Sequence, residues 1–289
     1  MRYIINILAA TLLLAACTKT EVTYDAPSEI AFTPVAEGMT KAATDYVGGQ
    51  LNVFAYTEDG IPYFANEIFT DADEEGTYVG ATTQYWPNEK MLKFSGYTGD
   101  NVAAQYNGFL LSITGYQQEA DNDLMWFFTD VVSAPLSDGE VTGIEPQMHH
   151  ACAKITINVT GENACQNWPI ESVSIVDVAT SGTVTFDGSA VEWDSTSSIN
   201  SVVLNYGDDM TIGTAGAVSA IVIPQAPTTL SVTYNDKTVG DISLDYNSGA
   251  AWQAGYHYTY TLNFKNPYKI EFSVLGVDPW GDGGTITMQ

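Results

Sequence analysis

Strict alternation of apolar and polar residues is the feature that most narrows the folds open to this chain. In the run from Tyr256 to Phe264 every second residue is large and apolar, so Tyr256, Tyr258, Tyr260, Leu262 and Phe264 share one face of an extended strand. The same period of two returns in Lys154 to Val159, Leu230 to Tyr234 and Lys269 to Val274, and the front half adds Gln50 to Tyr56 and Leu110 to Ile113. Leu124 to Val132 is apolar enough to predict a strand covered on both faces. Turn signals separate these runs: Glu58-Asp59-Gly60, Ser95-Gly96, Ser137-Asp138-Gly139 and Asn235-Asp236. No stretch of ten or more residues carries a helical period. Many short strands at this spacing predict an all-β protein built of antiparallel sandwiches.

The connector Gly143-Ile144-Glu145-Pro146-Gln147 is polar, contains proline and precedes a fresh strong strand. It divides the chain into two tandem β-sandwich domains, 17–146 and 147–289, behind a leader at 1–16.

The leader reading rests on the first seventeen residues. Arg2 supplies a positive start, and the apolar stretch from Ile4 to Leu14, broken by Asn6 and Thr11, is too short for a membrane span, which needs roughly 18 apolar residues. It ends in Leu14-Ala15-Ala16-Cys17, small residues before a cysteine, which is the pattern of a bacterial lipoprotein signal. Cys17 is therefore the expected lipidation site, and the acyl chains would hold the protein to the outer-membrane lipid. Arg2 is the only arginine in the chain.

Charge removes one class of partner. The chain carries 35 Asp plus Glu against 9 Lys plus Arg, a formal net charge of −26. So negative a surface repels a phosphate backbone, so nucleic-acid binding is not expected.

Chemical sites are scarce. No Gly-x-Ser-x-Gly elbow, His-Glu-x-x-His pair or phosphate loop occurs, so no enzyme activity, cofactor or metal is expected. Adjacent His149 and His150 on a strand would point to opposite faces and could not share an ion, and His257 falls on the polar face of the Tyr-rich strand. A hydrolase would need His150 or His257 beside a nucleophile in a cleft. Asp71 to Gly76 opens like a calcium loop, but Thr82 stands at the twelfth position where a bidentate Glu is needed, which favours a solvated acidic loop. Cys152 and Cys165 are open to two readings, a disulfide in an exported protein or two buried thiols. Trp86, Trp126, Trp193 and Trp252 would serve a glycan-binding lipoprotein only if they were gathered on an exposed face.

Several segments, taken in order, carry a family likeness. They are the lipobox at Cys17, Ile30-Ala31-Phe32-Thr33-Pro34, a Thr-Lys-Ala stretch ending at Ala42, and Leu51 to Tyr56. Tyr85-Trp86-Pro87-Asn88, His150-Ala151-Cys152-Ala153-Lys154-Ile155 and Ile223-Pro224-Gln225 follow. Trp252-Gln253-Ala254-Gly255-Tyr256-His257-Tyr258-Thr259-Tyr260 and Val277-Asp278-Pro279-Trp280 complete the series. Together they resemble the fimbrillin family of Bacteroidales, the Mfa-like and FimA-like lipoproteins that build type V pili.

The resemblance implies transthyretin-like sandwiches and a structural role as subunit or adhesin of a pilus, with shaft, tip and anchor positions all open. It implies partners that are other pilus subunits, and leaves any host or bacterial surface ligand unspecified. It further implies that a trypsin-like protease removes an N-terminal strand, here Ile30, Phe32 and Val35, and that a strand from a neighbouring subunit fills the groove. The family's cleavage site is usually arginine, and the nearest residue to that in this chain is Lys41, before Ala42. Either Lys41 is cut, or the subunit stays intact as an anchor. Ile286 and Met288 alternate as a donor strand would, and the alternative is an inert tail.

Overall fold

The computed structural model describes residues 28–36, 49–71, 76–87, 91–99, 103–119, 122–134, 143–204, 210–266 and 269–280. Cys17, Lys41, Ala42, Ile286 and Met288 lie outside the described residues. Within them the chain is all-β, and no helix long and apolar enough to cross a membrane is present.

The strands of the front part are β1 (Ala31–Phe32), β2 (Val35–Ala36), β3 (Gln50–Thr57), β4 (Pro62–Thr70), β5 (Tyr78–Gly80) and β6 (Leu92–Thr98). Next come β7 (Ala103–Tyr106), β8 (Leu111–Gln117), β9 (Met125–Phe128), β10 (Gln147–His150), β11 (Ala153–Gly161) and β12 (Ile170–Phe186). The last are β13 (Val191–Leu204), β14 (Gly216–Val222), β15 (Thr229–Tyr234), β16 (Lys237–Ser243), β17 (Tyr256–Asn266) and β18 (Lys269–Pro279).

They form three sheets. The first runs β1-β5-β4-β3-β6-β9-β10-β2, the second β14-β11-β17-β18, and the third β16-β15-β12-β8-β7 with β13 on the free edge of β12. All pairings between these strands are antiparallel except β10 with β2 and β11 with β17. The Tyr-rich strand behaves as its alternation predicts: Tyr258, Tyr260, Leu262 and Phe264 are buried in the core between the second and third sheets, with Ile155, Ile157, Val173 and Ile175. A second core of Leu51, Val53, Phe69, Phe94 and Phe127 fills the first sheet. A third, holding Phe54, Tyr97, Trp126, Leu111, Ile113 and Phe186, joins the other face of that sheet to the third sheet. The first sheet is thus covered on both faces at β3, β6 and β9, which is why these strands read as nearly unbroken apolar runs.

β12 ties the halves together. Its first residues pair with β15, as in Val173↔Val232, and its last pair with β8, as in Phe186↔Leu111. β10, which begins the second half of the sequence, pairs with β9 of the first: His149↔Trp126 and His150↔Met125.

Two turn signals fared differently. Asn235 and Asp236 adopt φ of 46° and 59°, the double left-handed turn that suits a tight hairpin, and join β15 to β16. Ser95-Gly96, by contrast, is no turn but the middle of β6. A Cβ on Gly96 would lie 2.5 Å from a Phe127 ring carbon and 2.8 Å from the Asn52 carbonyl oxygen, so the glycine is there to let strands and ring approach.

Candidate functional site

β1 and β2 are two pieces of one run, yet they stand at opposite ends of the first sheet. Residues 29–36 therefore close that sheet on itself. On one side Ala31↔Val79 and Phe32↔Tyr78 pair antiparallel with β5, and the Ile30 amide donates to the Gln84 carbonyl at 2.8 Å. On the other, Val35↔Gln147 and Ala36↔Met148 run parallel with β10, and the Thr33 and Val35 amides donate to Ile144 and Pro146 at 2.7 and 3.0 Å. Pro34 falls between these two donors. In an extended strand its missing N–H would point to the opposite edge, where pairing with β5 has ended at Phe32, so the proline sacrifices no bond. The run is thus bonded along both edges.

Side chains anchor this run as well as its ladders. Ile30 and Phe32 are wholly buried. The Phe32 ring meets Phe69 and Phe94 edge-on, with centroids 4.9 and 5.3 Å apart, and Phe127 at 5.9 Å. Edge-to-face pairs of this kind add about 0.5–1.5 kcal/mol each to the burial itself. Gly143 keeps the neighbouring chain close, since a Cβ there would come within 2.8 Å of the Thr33 side chain.

The remaining candidates scatter. Gly76 donates its amide to Asp71 Oδ2 at 2.8 Å, while 72–75 lie outside the described residues. No group of three metal-ligating side chains occurs among the described residues. Cys152 and Cys165 are both free thiols in the core; Cys152 Sγ donates to Gln118 Oε1 at 3.1 Å, and burial pushes its thiol well up. Trp86, Trp126 and Trp252 are buried, and Trp193 packs edge-on against Tyr116 with its indole N–H on the Ala151 carbonyl at 2.8 Å. These four rings form no sugar-stacking face.

The histidines occupy separate settings. His257 Nε2 lies 2.7 Å from Thr156 Oγ1, which is 2.6 Å from Ser219 Oγ, so imidazole and hydroxyls form one row across β17, β11 and β14. Burial lowers the His257 pKa, Lys154 lowers it further, and Asp278 partly opposes both. This row satisfies polar groups between strands, as cross-strand pairs do. His149 packs against Trp126 at a tilt, with centroids 4.9 Å apart. His150 is buried; its Nδ1 sits 2.7 Å from Asp123 Oδ2, and its ring lies flat on Trp280 at 3.9 Å and 3°. Spacing gave no sign of this last cluster, whose members are far apart in sequence.

Comparison with known proteins adds a family and a fold. A family model described as fimbrillin-like matches residues 40–280. A solved fimbrial protein from Bacteroides vulgatus is 15% identical, with 87% of this chain and 99% of that one aligned and a TM-score of 0.57. A candidate cell adhesion protein from Bacteroides uniformis is 18% identical over 87% and 99% of the two chains, with a TM-score of 0.61. The tip fimbrial protein Mfa3 from Porphyromonas gingivalis, solved with a C-terminal truncation, is 9% identical over 88% and 100%, at 0.52. These likenesses show a shared fold. No curated protein matches this chain by sequence.

Proposed function

The chain belongs to the fimbrillin-like family, and from that premise we propose that it is a structural subunit or adhesin of a cell-surface pilus assembled by strand exchange. One observation carries the reading: residues 29–36 close the first sheet as a discrete strip, with Ile30 and Phe32 buried and the backbone bonded to both neighbouring edges. Withdrawing such a strip would leave two unpaired strand edges and an aromatic-lined cleft, the two requirements for capturing another strand. The resident run sets the polarity of its replacement, which must lie antiparallel to β5 and parallel to β10 and place a large apolar side chain among Phe69, Phe94 and Phe127. In this proposal the protein is exported as a lipoprotein on Cys17, cut after Lys41, and held to the next subunit by a strand such as that containing Ile286 and Met288. Head-to-tail repetition of a contact between unlike surfaces gives an open filament.

Limited trypsin digestion of the lipid-free chain from Thr18 onward tests this, read by intact mass and by unboiled gels. The expected result is a stable product beginning at Ala42, with ladders that collapse on boiling. A chain left whole at Lys41 and strictly monomeric would overturn the polymerising role.

A further inference from the structure

We propose that His150, Asp123 and Trp280 form a clasp that couples the closing run 29–36 to the end of β18, so that loosening either one loosens the other. The proposal deepens the reading of 29–36 as an exchangeable strand.

β10 is only four residues long, Gln147–His150. One edge is held by Val35 and Ala36, the other by Trp126 and Met125. Met148 is wholly buried in the core that also holds Phe32. His150 stands two residues further along, so the same seating that places Met148 sets the face His150 presents. Its ring then meets two groups from elsewhere, the Asp123 carboxylate and the Trp280 indole.

Trp280 is fastened to the second half as well. Its amide donates to the Gly255 carbonyl at 2.6 Å, the Gly255 amide donates to the Cys152 carbonyl at 2.9 Å, and Lys154 Nζ stands 5.7 Å from the indole centroid. The clasp therefore spans both halves, with the imidazole as its link to the front. Losing that link is costly for Asp123 too: its Oδ1 is enclosed without a hydrogen-bond partner, and His150 is the side chain paired with Oδ2. When β2 withdraws, β10 becomes a short edge strand, the kind of element that opens locally. His150 loses its fixed bearing, and Trp280 keeps only its second-half contacts.

Coupling of this kind is reciprocal. Hydrogen exchange on the intact chain is the measurement, with Phe32→Ala, Trp280→Ala, the double variant and Trp280→Phe, which keeps a ring for His150. Trp280→Ala is expected to speed exchange of the Thr33 and Val35 amides at least about fivefold. Phe32→Ala is expected to speed exchange of the Trp280 amide similarly, the double variant to fall short of the product of the two effects, and Trp280→Phe to stay near the parent. Leu230→Ala, in the core of the second half, controls for general destabilisation and should not single out Thr33 and Val35. Changes confined to 256–280 in the Trp280→Ala chain, or effects that simply multiply, would overturn the clasp. Every variant is uncut, so the result decides the coupling whether or not the run is ever removed, and the digestion at Lys41 tests removal separately.

Discussion

The closing run and β17 bury aromatic side chains equally well, but their ladders differ greatly in length. β17 is paired along both edges, from Lys154↔His257 to Gly161↔Phe264 with β11 and from Tyr256↔Pro279 to Asn266↔Lys269 with β18. The closing run has only short ladders, two paired residues against β5 and two against β10 with the Ile30, Thr33 and Val35 amides bonded beside them, and Ile30 and Phe32 add buried anchors. A strand held by a ladder leaves only when its sheet unfolds. In the assembly proposed above, one held by short ladders and two buried side chains would give way to a strand that brings equivalent side chains in the same polarity.

The most forceful way to break this contrast is to empty both cores. Phe32→Ala and Phe264→Ala should each cost about 3–5 kcal/mol, measured by denaturant unfolding. Hydrogen exchange should separate them: Phe32→Ala strips protection from 29–36 and 144–148 while β17 stays protected, whereas Phe264→Ala lowers protection across the second and third sheets together. Equal spreading in both variants would erase the distinction. Gly96→Ala comes next. It should cost about 1–3 kcal/mol by forcing Phe127 and the Asn52 carbonyl apart, and Phe127 also touches Phe32, so protection of 29–36 should fall with it.

A smaller change sharpens the other side. Removing the Trp193 indole N–H with Trp193→Phe loses its bond to Ala151 and should cost about 1 kcal/mol without altering exchange of Thr33. Smallest of all is a pH effect local to β17. Because the folded-state pKa of His257 is lowered, the unfolded chain binds the extra proton. Stability from this residue is complete above the unfolded histidine value and declines as pH falls toward the lower folded one. Denaturant midpoints taken from pH 7 down to 5 should therefore fall less in His257→Gln than in the parent, and an unchanged slope would refute the assignment.

The sequence made the ladder-held regions legible and the closure only partly so. Tyr256 to Phe264, Lys154 to Val159 and Gln50 to Tyr56 announced themselves because each buries one face at a period of two or, for β3, nearly all of its residues. Ile30, Phe32 and Val35 stood out through family likeness, but that one run reaches both ends of a sheet depends on Ile144, Gln147 and Met148, more than a hundred residues on. No local period records such a partner. The long hairpin of β12 and β13 was hidden for another reason: register shifts between Ile175 and Val178 and between Ser181 and Thr183 break its alternation. Gly96 misled because glycine marks both turns and close approaches, and only the position of Phe127 tells them apart. His150, Asp123 and Trp280 share no spacing at all.

β12 has a mechanical consequence. Ile170–Phe186 runs as one long, bulged strand of the third sheet, pairing with β15 at its start and with β8 at its end, with β13 alongside. A pull applied between the two halves along this axis would load its hydrogen bonds in shear, many at once, rather than peeling them one after another. In a filament of the kind proposed, the two halves should then stretch as a single beam under tension, and the weakest point would be the joint between molecules.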